Sequence, residues 1–213
     1  MLWFMIMSGC ALFDDGECPS FSGFSAEGTT WEYTASTDRW IDELVLLDGG
    51  DVLVFSTILP LEGEASFNRV STAETVYTCD REGLWLHEYT STSDEEHSDF
   101  DRTTVSVLTY DPPRLVLPKV LEEGTVWDYE GDFVFKQTVT VTRDGAAEVT
   151  VPHDDTQPYT LTNEVTGWET VSVAAGDYDA LALSFGGENP SYYAEGVGMI
   201  KREEFTELFA HDP

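Results

Sequence analysis

Short segments rich in valine, threonine and aromatic residues recur along this chain between turn-forming residues: TTWEYTAST, DVLVFSTIL, ETVYTC, TTVSVLTY, DFVFKQTVTVT, YTLTNEVTGWETVSV, DALALSF and GMIKREEF. Polar and apolar positions tend to alternate within them, the period of two that sends successive side chains to opposite faces of a strand. The pattern predicts an all-β protein with an antiparallel sheet. Asp38 to Leu47 comes nearest to helical spacing, with apolar residues at Trp40, Ile41, Leu44, Val45 and Leu47. It too is read as strand or loop.

Two stretches answer each other. Glu27-Gly28-Thr29-Thr30-Trp31-Glu32-Tyr33 is echoed by Glu123-Gly124-Thr125-Val126-Trp127-Asp128-Tyr129, a shared E-G-T-x-W-x-Y. Each glycine can supply turn geometry ahead of a strand, and a Trp and a Tyr two residues apart project from one face. Glu82-Gly83-Leu84-Trp85 and Glu195-Gly196-Val197-Gly198 form a weaker echo. Between the halves lies Tyr110-Asp111-Pro112-Pro113-Arg114-Leu115-Val116-Leu117-Pro118, whose prolines favour an extended connector or an edge strand. The expected organisation is two related β-halves, 27–111 and 112–213, packed as one globular unit. A hairpin turning at Ala174 to Asp177 is expected to pair Val171 and Val173 with the row Leu181, Leu183 and Phe185. Gly196 and Gly198 weaken a strand unless the backbone bends or another segment comes close, as at a closing turn of a barrel.

The second half carries a resemblance. The run from Thr166 to Leu181, with Val173-Ala174-Ala175-Gly176 at its turn, is similar to the strand, "P-A-G" turn and strand of a group of uncharacterised bacterial envelope lipoproteins. Ala174 stands where those proteins have proline. Tyr192-Tyr193-Ala194-Glu195-Gly196-Val197-Gly198-Met199-Ile200-Lys201 resembles their "Y-A-P-G-V-G-L-V-K" segment, with Glu195 in place of the proline. With the W-x-Y strand starts and the proline connector, the likeness covers most of 27–205. It implies a curved sheet, half-barrel or barrel, similar in build to the lipoprotein-localisation proteins and the TapB-like family. It implies an address in the cell envelope and brings no catalytic residue.

The opening segment supports that address. Met1 to Met7 is uncharged and is followed by the small residues Ser8 and Gly9. A spanning helix needs about 20 apolar residues, whereas the apolar core of an export signal needs about 7 to 15. Met7-Ser8-Gly9-Cys10 resembles the lipobox of bacterial lipoproteins, with methionine where leucine is usual. The resemblance implies a signal-peptide remnant at 1–9, lipidation of Cys10, and a lipidated tether over 10–26. The acyl chains on Cys10 then anchor the protein to the membrane. Ala11 and Leu12 imply, by the same resemblance, sorting to the outer membrane. With Cys10 lipidated, the three cysteines leave Cys18 and Cys79. In an exported protein they are natural disulfide partners, the alternative being two free buried thiols.

Charge narrows the partners. The chain of 213 residues holds 41 acidic against 10 basic residues, a net charge of -31. Such a surface repels phosphate backbones, which argues against nucleic acid. The acids are spread along the chain, with concentrations at Asp14 to Glu17 and Asp94 to Asp101. This suits a solvated face in a salty medium, where screening weakens self-repulsion; divalent-cation sites are the alternative reading.

Signatures of catalysis are missing from the sequence. Gly23-Phe24-Ser25-Ala26-Glu27 fails as a nucleophile elbow at its last position, and the chain contains no phosphate-binding P-loop, no H-E-x-x-H and no zinc-spaced cysteine pair. His97, His153 and His211 each neighbour acids, but in a chain this acidic such neighbours arise by chance and are read as polar loops. Asp94 to Asp101 lacks the spacing of an EF-hand loop. No catalytic residue, metal ligand or cofactor is assigned. The expected function is that of a non-enzymatic envelope lipoprotein binding an apolar ligand or lipid in its curved sheet. Trp31, Tyr33, Trp127, Tyr129 and the 171–185 hairpin are the candidate lining. A structural or protein-interaction module of the envelope is the alternative, with a metal-dependent or carboxylate-based hydrolase behind it.

Overall fold

The computed structural model describes residues 17–35, 38–60, 68–143, 146–202 and 206–213. Apart from a 3₁₀ turn at Ser20–Ser22, the described elements are strands: β1 (Thr30–Thr34), β2 (Asp38–Asp48), β3 (Asp51–Pro60), β4 (Asn68–Cys79), β5 (Gly83–Glu96), β6 (Asp101–Pro118), β7 (Val126–Arg143), β8 (Ala146–Val173), β9 (Gly176–Phe185), β10 (Ser191–Ala194), β11 (Gly198–Arg202) and β12 (Thr206–Asp212). Each pairs antiparallel with its sequence neighbours, and β1 pairs with β12, so the sheet closes into a barrel. Closure removes the free edges that an open sheet must otherwise protect. Of the forms the sequence allows, curved sheet, half-barrel or barrel, the protein is the closed barrel. Asp38 to Leu47 is strand throughout.

The two E-G-T-x-W-x-Y stretches form the same local structure. Gly28 and Gly124 take φ of 86° and 82°, and their N–H groups donate to Leu44 O at 2.8 Å and Val165 O at 2.9 Å. Leu44 N–H and Val165 N–H return bonds to Thr29 O and Thr125 O, both at 2.9 Å. The paired ring groups then donate to main-chain carbonyls: Trp31 Nε1 to Val197 O and Tyr33 OH to Met199 O, Trp127 Nε1 to Leu115 O and Tyr129 OH to Pro112 O. A buried indole or phenol needs such a partner. The repeated sequence is thus a strand start that staples itself to a second segment.

The proline run is neither a linker nor an edge. It lies inside β6, flanked by β5 and β7. Pairing with β5 jumps from Leu86↔Arg114 to Glu88↔Thr109, and pairing with β7 stops at Asp111. Pro112 and Pro113 therefore occupy the interval where neither ladder asks for their missing N–H.

The hairpin expected after Val173 forms, with Ala174 and Ala175 at its turn, but its register overturns the expected apolar pairing. A two-residue turn sets Val173 opposite Gly176 and Val171 opposite Tyr178. Partners across a strand pair share a face, so Val171 stands with Tyr178, and a register shift between Val165 and Gly167 brings Leu183 opposite Val165. The two rows lie on different faces.

Burial is concentrated at one end of the barrel. Leu44, Val52, Leu84, Leu117, Val165, Leu181, Leu183, Ile200 and Leu208 are almost fully buried there with Phe21 of the 3₁₀ turn. The segment around that turn closes this end. Cys18 and Cys79 are joined as a disulfide, with Cα atoms 4.9 Å apart, and Phe24 packs on Trp31 and Tyr77. Gly196 N–H donates to Ser20 O at 2.8 Å in the turn between β10 and β11.

Gly198 meets the same segment, as its position in the sequence suggests. It has φ of 91°, and a Cβ placed on it would lie 2.7 Å from Ser22 O. Gly198→Ala is expected to lose roughly 1–3 kcal/mol from backbone strain alone, with the clash added. Gly196→Ala, where a Cβ meets nothing within 4 Å, should lose less. Urea denaturation of the two variants checks the order, and equal losses would contradict the seating of this segment.

Away from the closed end the inner face changes character. Ser71 pairs with Ser93, Ser91 with Ser106, and Ser106 with Gln137, all on the face that carries Ala73 and Thr75. Ser71 Oγ donates to Ser93 Oγ at 3.0 Å and Gln137 Nε2 to Ser106 Oγ at 3.1 Å. The serines and Gln137 are not fully buried, unlike Ala73 and Thr75. The outer face is mixed: Asp128, Glu130 and Asp132 of β7 and Thr160, Thr162 and Glu164 of β8 are exposed, and so are Val70, Val76 and Val126.

Candidate functional site

The interior above the closed end is hollow. A cavity of about 140 Å³ sits on the N-terminal segment, lined by Ser22, Phe24, Trp31, Tyr33, Asp42, Val54, Tyr77, Leu84, Val116, Leu117, Tyr193 and Met199. A second, of about 320 Å³, shares Tyr77, Val116, Tyr193 and Met199 with it and adds residues including Leu86, Arg114, Tyr159, Leu161, Phe185, Glu188 and Arg202. The shared residues make the two neighbouring parts of one interior, apolar at the floor and more polar above. Its larger part lies within the range of small-molecule sites, about 300–1,000 Å³, and is far larger than the water-sized voids of a packed core.

The strands place this lining by register. Trp31 is opposite Asp42 and Tyr33 opposite Trp40 on β1 and β2, so Asp42 faces inward with the two aromatic rings. Tyr193 pairs with both Leu181 and Met199, and Tyr77 is opposite Leu86, which is itself opposite Arg114.

Of the sequence-derived candidates, Trp31 and Tyr33 line the floor, and Phe185 of the 171–185 hairpin lines the upper part. Trp127 and Tyr129 do not line either cavity. They are buried, with their polar atoms on Leu115 O and Pro112 O, because the second copy of the motif stands beside the displaced proline run and the first beside the hollow. Cys10 lies outside the described residues. The acid-flanked histidines are dispersed: His97 stacks on Phe100 at the turn between β5 and β6, His153 lies near Phe135, and His211 stacks on Trp31. Among the described residues no group of three His, Cys, Asp or Glu side chains is disposed to hold a metal ion.

Burial sets the chamber's electrostatics. It raises the Asp42 carboxyl to about 6, with a hydrogen bond from Ser56 acting in the opposite direction. Burial, reinforced by the charge of Asp42, raises the Tyr33 and Tyr77 phenols, and burial raises Tyr193 while Arg202 and Arg114 oppose it. All three phenols therefore stay protonated at neutral pH. Sequence reasoning missed Tyr77, Asp42, Tyr193 and Arg114 as a group, since they come from distant strands. The one local signal was a cation, Arg114, within the apolar run Leu115-Val116-Leu117 and its prolines.

Fold and site together define a closed up-and-down β-barrel with a floored internal chamber. Comparison of the chain with protein families, curated proteins and solved structures finds no match.

Proposed function

We propose that this is a non-enzymatic, lipid-anchored protein of the bacterial cell envelope that binds an apolar ligand inside its barrel. The hollow above the N-terminal segment carries the reading: its floor is largely apolar and aromatic, its upper part mixes aromatic with polar residues, and two adjoining spaces replace the packed interior that a purely structural barrel would have. The Cys18–Cys79 bridge fits an oxidising compartment. The W-x-Y starts and the Tyr192–Lys201 segment resemble a group of uncharacterised envelope lipoproteins similar in build to half-barrel lipid carriers, which points the same way.

Saturable binding of a fluorescent apolar probe tests the chamber. Val116 lines both spaces, so Val116→Trp should abolish binding while the melting transition remains cooperative. Probe binding unchanged by Val116→Trp would place the probe elsewhere and contradict the reading. The anchor is tested separately. Cys10→Ser, expressed behind a complete export signal, should move the protein from the detergent phase to the aqueous phase, and aqueous partitioning of the wild type would refute lipidation.

A further inference from the structure

The larger space holds a cation that rests on aromatic rings and whose buried Nε lacks a hydrogen-bond partner. Arg114 follows the Pro112-Pro113 interval of β6 and faces inward opposite Leu86. Its Nε is buried and has no hydrogen-bond partner. Its guanidinium lies 6.0 Å from the Tyr110 ring centroid and 5.7 Å from that of Phe185, and among the described residues no carboxylate forms an ion pair with it. Arginine stays charged in proteins and presents a planar fork of five donors, and a buried donor left unsatisfied is unfavourable. In a chain with 10 basic residues against 41 acidic ones, an arginine spent on the interior and left without an acid is out of keeping with a merely structural lining.

We propose that Arg114 receives the anionic headgroup, a carboxylate or a phosphate monoester, of a single-chain amphiphile whose tail lies toward the closed end. The proposal rests on the reading of the chamber as a ligand site and names the class of ligand. Two features supply the headgroup position besides Arg114. Tyr77 and Tyr193 line both spaces and carry protonated phenols able to donate to an anion. The tail position is the floor formed by Phe24, Trp31, Val54, Leu84, Leu117 and Met199. Asp42 stands on the floor and Glu188 is exposed at the upper cavity. The carboxylate on the floor disfavours an anion there, which orients the ligand with its charge at Arg114 and its chain below. A free inorganic anion would leave the apolar walls Leu86, Val116, Leu161 and Phe185 uncovered; an amphiphile covers them. The outer charge of -31 repels such a ligand at a distance, so added salt should speed its association.

The test compares cis-parinaric acid with its methyl ester by fluorescence titration on the full, oxidised protein. The wild type should bind the acid more tightly than the ester. Arg114→Met should weaken acid binding about tenfold to a hundredfold, the range for hydrogen bonds to charged groups, and leave the ester unchanged. Arg114→Lys should retain part of the preference. Displacement of the acid by lysophosphatidate and by a saturated fatty acid names the source of the anion, and either order of strength supports the proposal. Equal binding of acid and ester by the wild type would overturn the proposal while leaving an apolar chamber in place; this comparison needs no variant. Binding of neither would overturn both this and the reading beneath it. An equal loss of acid and ester in a folded Arg114→Met protein would reduce Arg114 to a packing role and also overturn it.

Discussion

Replacing Cys18 and Cys79 together by serine is expected to lower the stability of the barrel by about 4 kcal/mol, the chain-entropy value for closing a loop of this length. The bridged residues are 61 apart in sequence, and the bridge ties the segment that closes the barrel to the end of β4. For a chain of this size such a loss corresponds to a melting temperature roughly 8–16 °C lower. A second consequence follows from position. Phe24 packs on Trp31 and Tyr77, and Ser22 and Phe24 form part of the chamber floor, so release of the bridge should also weaken binding of an apolar probe. Calorimetry of the oxidised wild type and the double variant checks the first effect, and probe titration below both transitions checks the second. Equal melting temperatures would mean that the bridge does not constrain the unfolded chain and that other contacts alone seat the floor.

The second large effect concerns Asp42. Its carboxyl titrates near 6 in the folded protein against an ordinary 3.8, chiefly because burial disfavours the charged form. A raised carboxyl pKa means that the folded state holds its proton over a pH range in which the unfolded chain has released it. The Asp42 contribution is therefore most favourable below about pH 4, falls as pH rises from 4 to 6, and is constant above that. The difference amounts to roughly 3 kcal/mol at neutral pH. Asp42→Asn removes the charge and retains a group that can bond Ser56. It is expected to raise stability at pH 7 by up to that amount and to flatten the decline between pH 4 and 6 relative to the wild type. Urea midpoints measured across pH 4 to 8 for both proteins decide this. A variant less stable than the wild type at pH 7 would show that the ionised carboxylate is satisfied in place.

Much of the fold was legible because strands announce themselves locally. The alternating pattern located most of the strands, and the E-G-T-x-W-x-Y repeat marked two strand starts that share hydrogen bonds down to the ring atoms. The pairing of Cys18 with Cys79 followed from counting. Closure was not legible, since it depends on Thr30 to Thr34 meeting Glu207 to Asp212 from the far end of the chain, and no local pattern records such a contact. Register was lost at the turn of the 171–185 hairpin. The choice of a two-residue turn there and the shift near Thr166 decide which apolar row faces which, and both lie outside what alternation can report. The same limit explains the site. Trp31 and Trp127 sit in the same motif, yet of the two only Trp31 lines the described cavities, because the difference is made by neighbours on β6 and β11. Arg114 looked like one residue of a connector until Leu86 and Tyr77 were set across from it.

The account stands most directly on the chamber being a ligand site. Native mass spectrometry of the oxidised protein, purified from the envelope by way of a Cys10→Ser form that needs no detergent, tests it. The account predicts a population carrying a bound species in the mass range of a single-chain lipid, lost on organic extraction and absent from Val116→Trp. A bare polypeptide mass under the same gentle conditions, from a protein that also shows no saturable uptake of cis-parinaric acid or its ester, would contradict it.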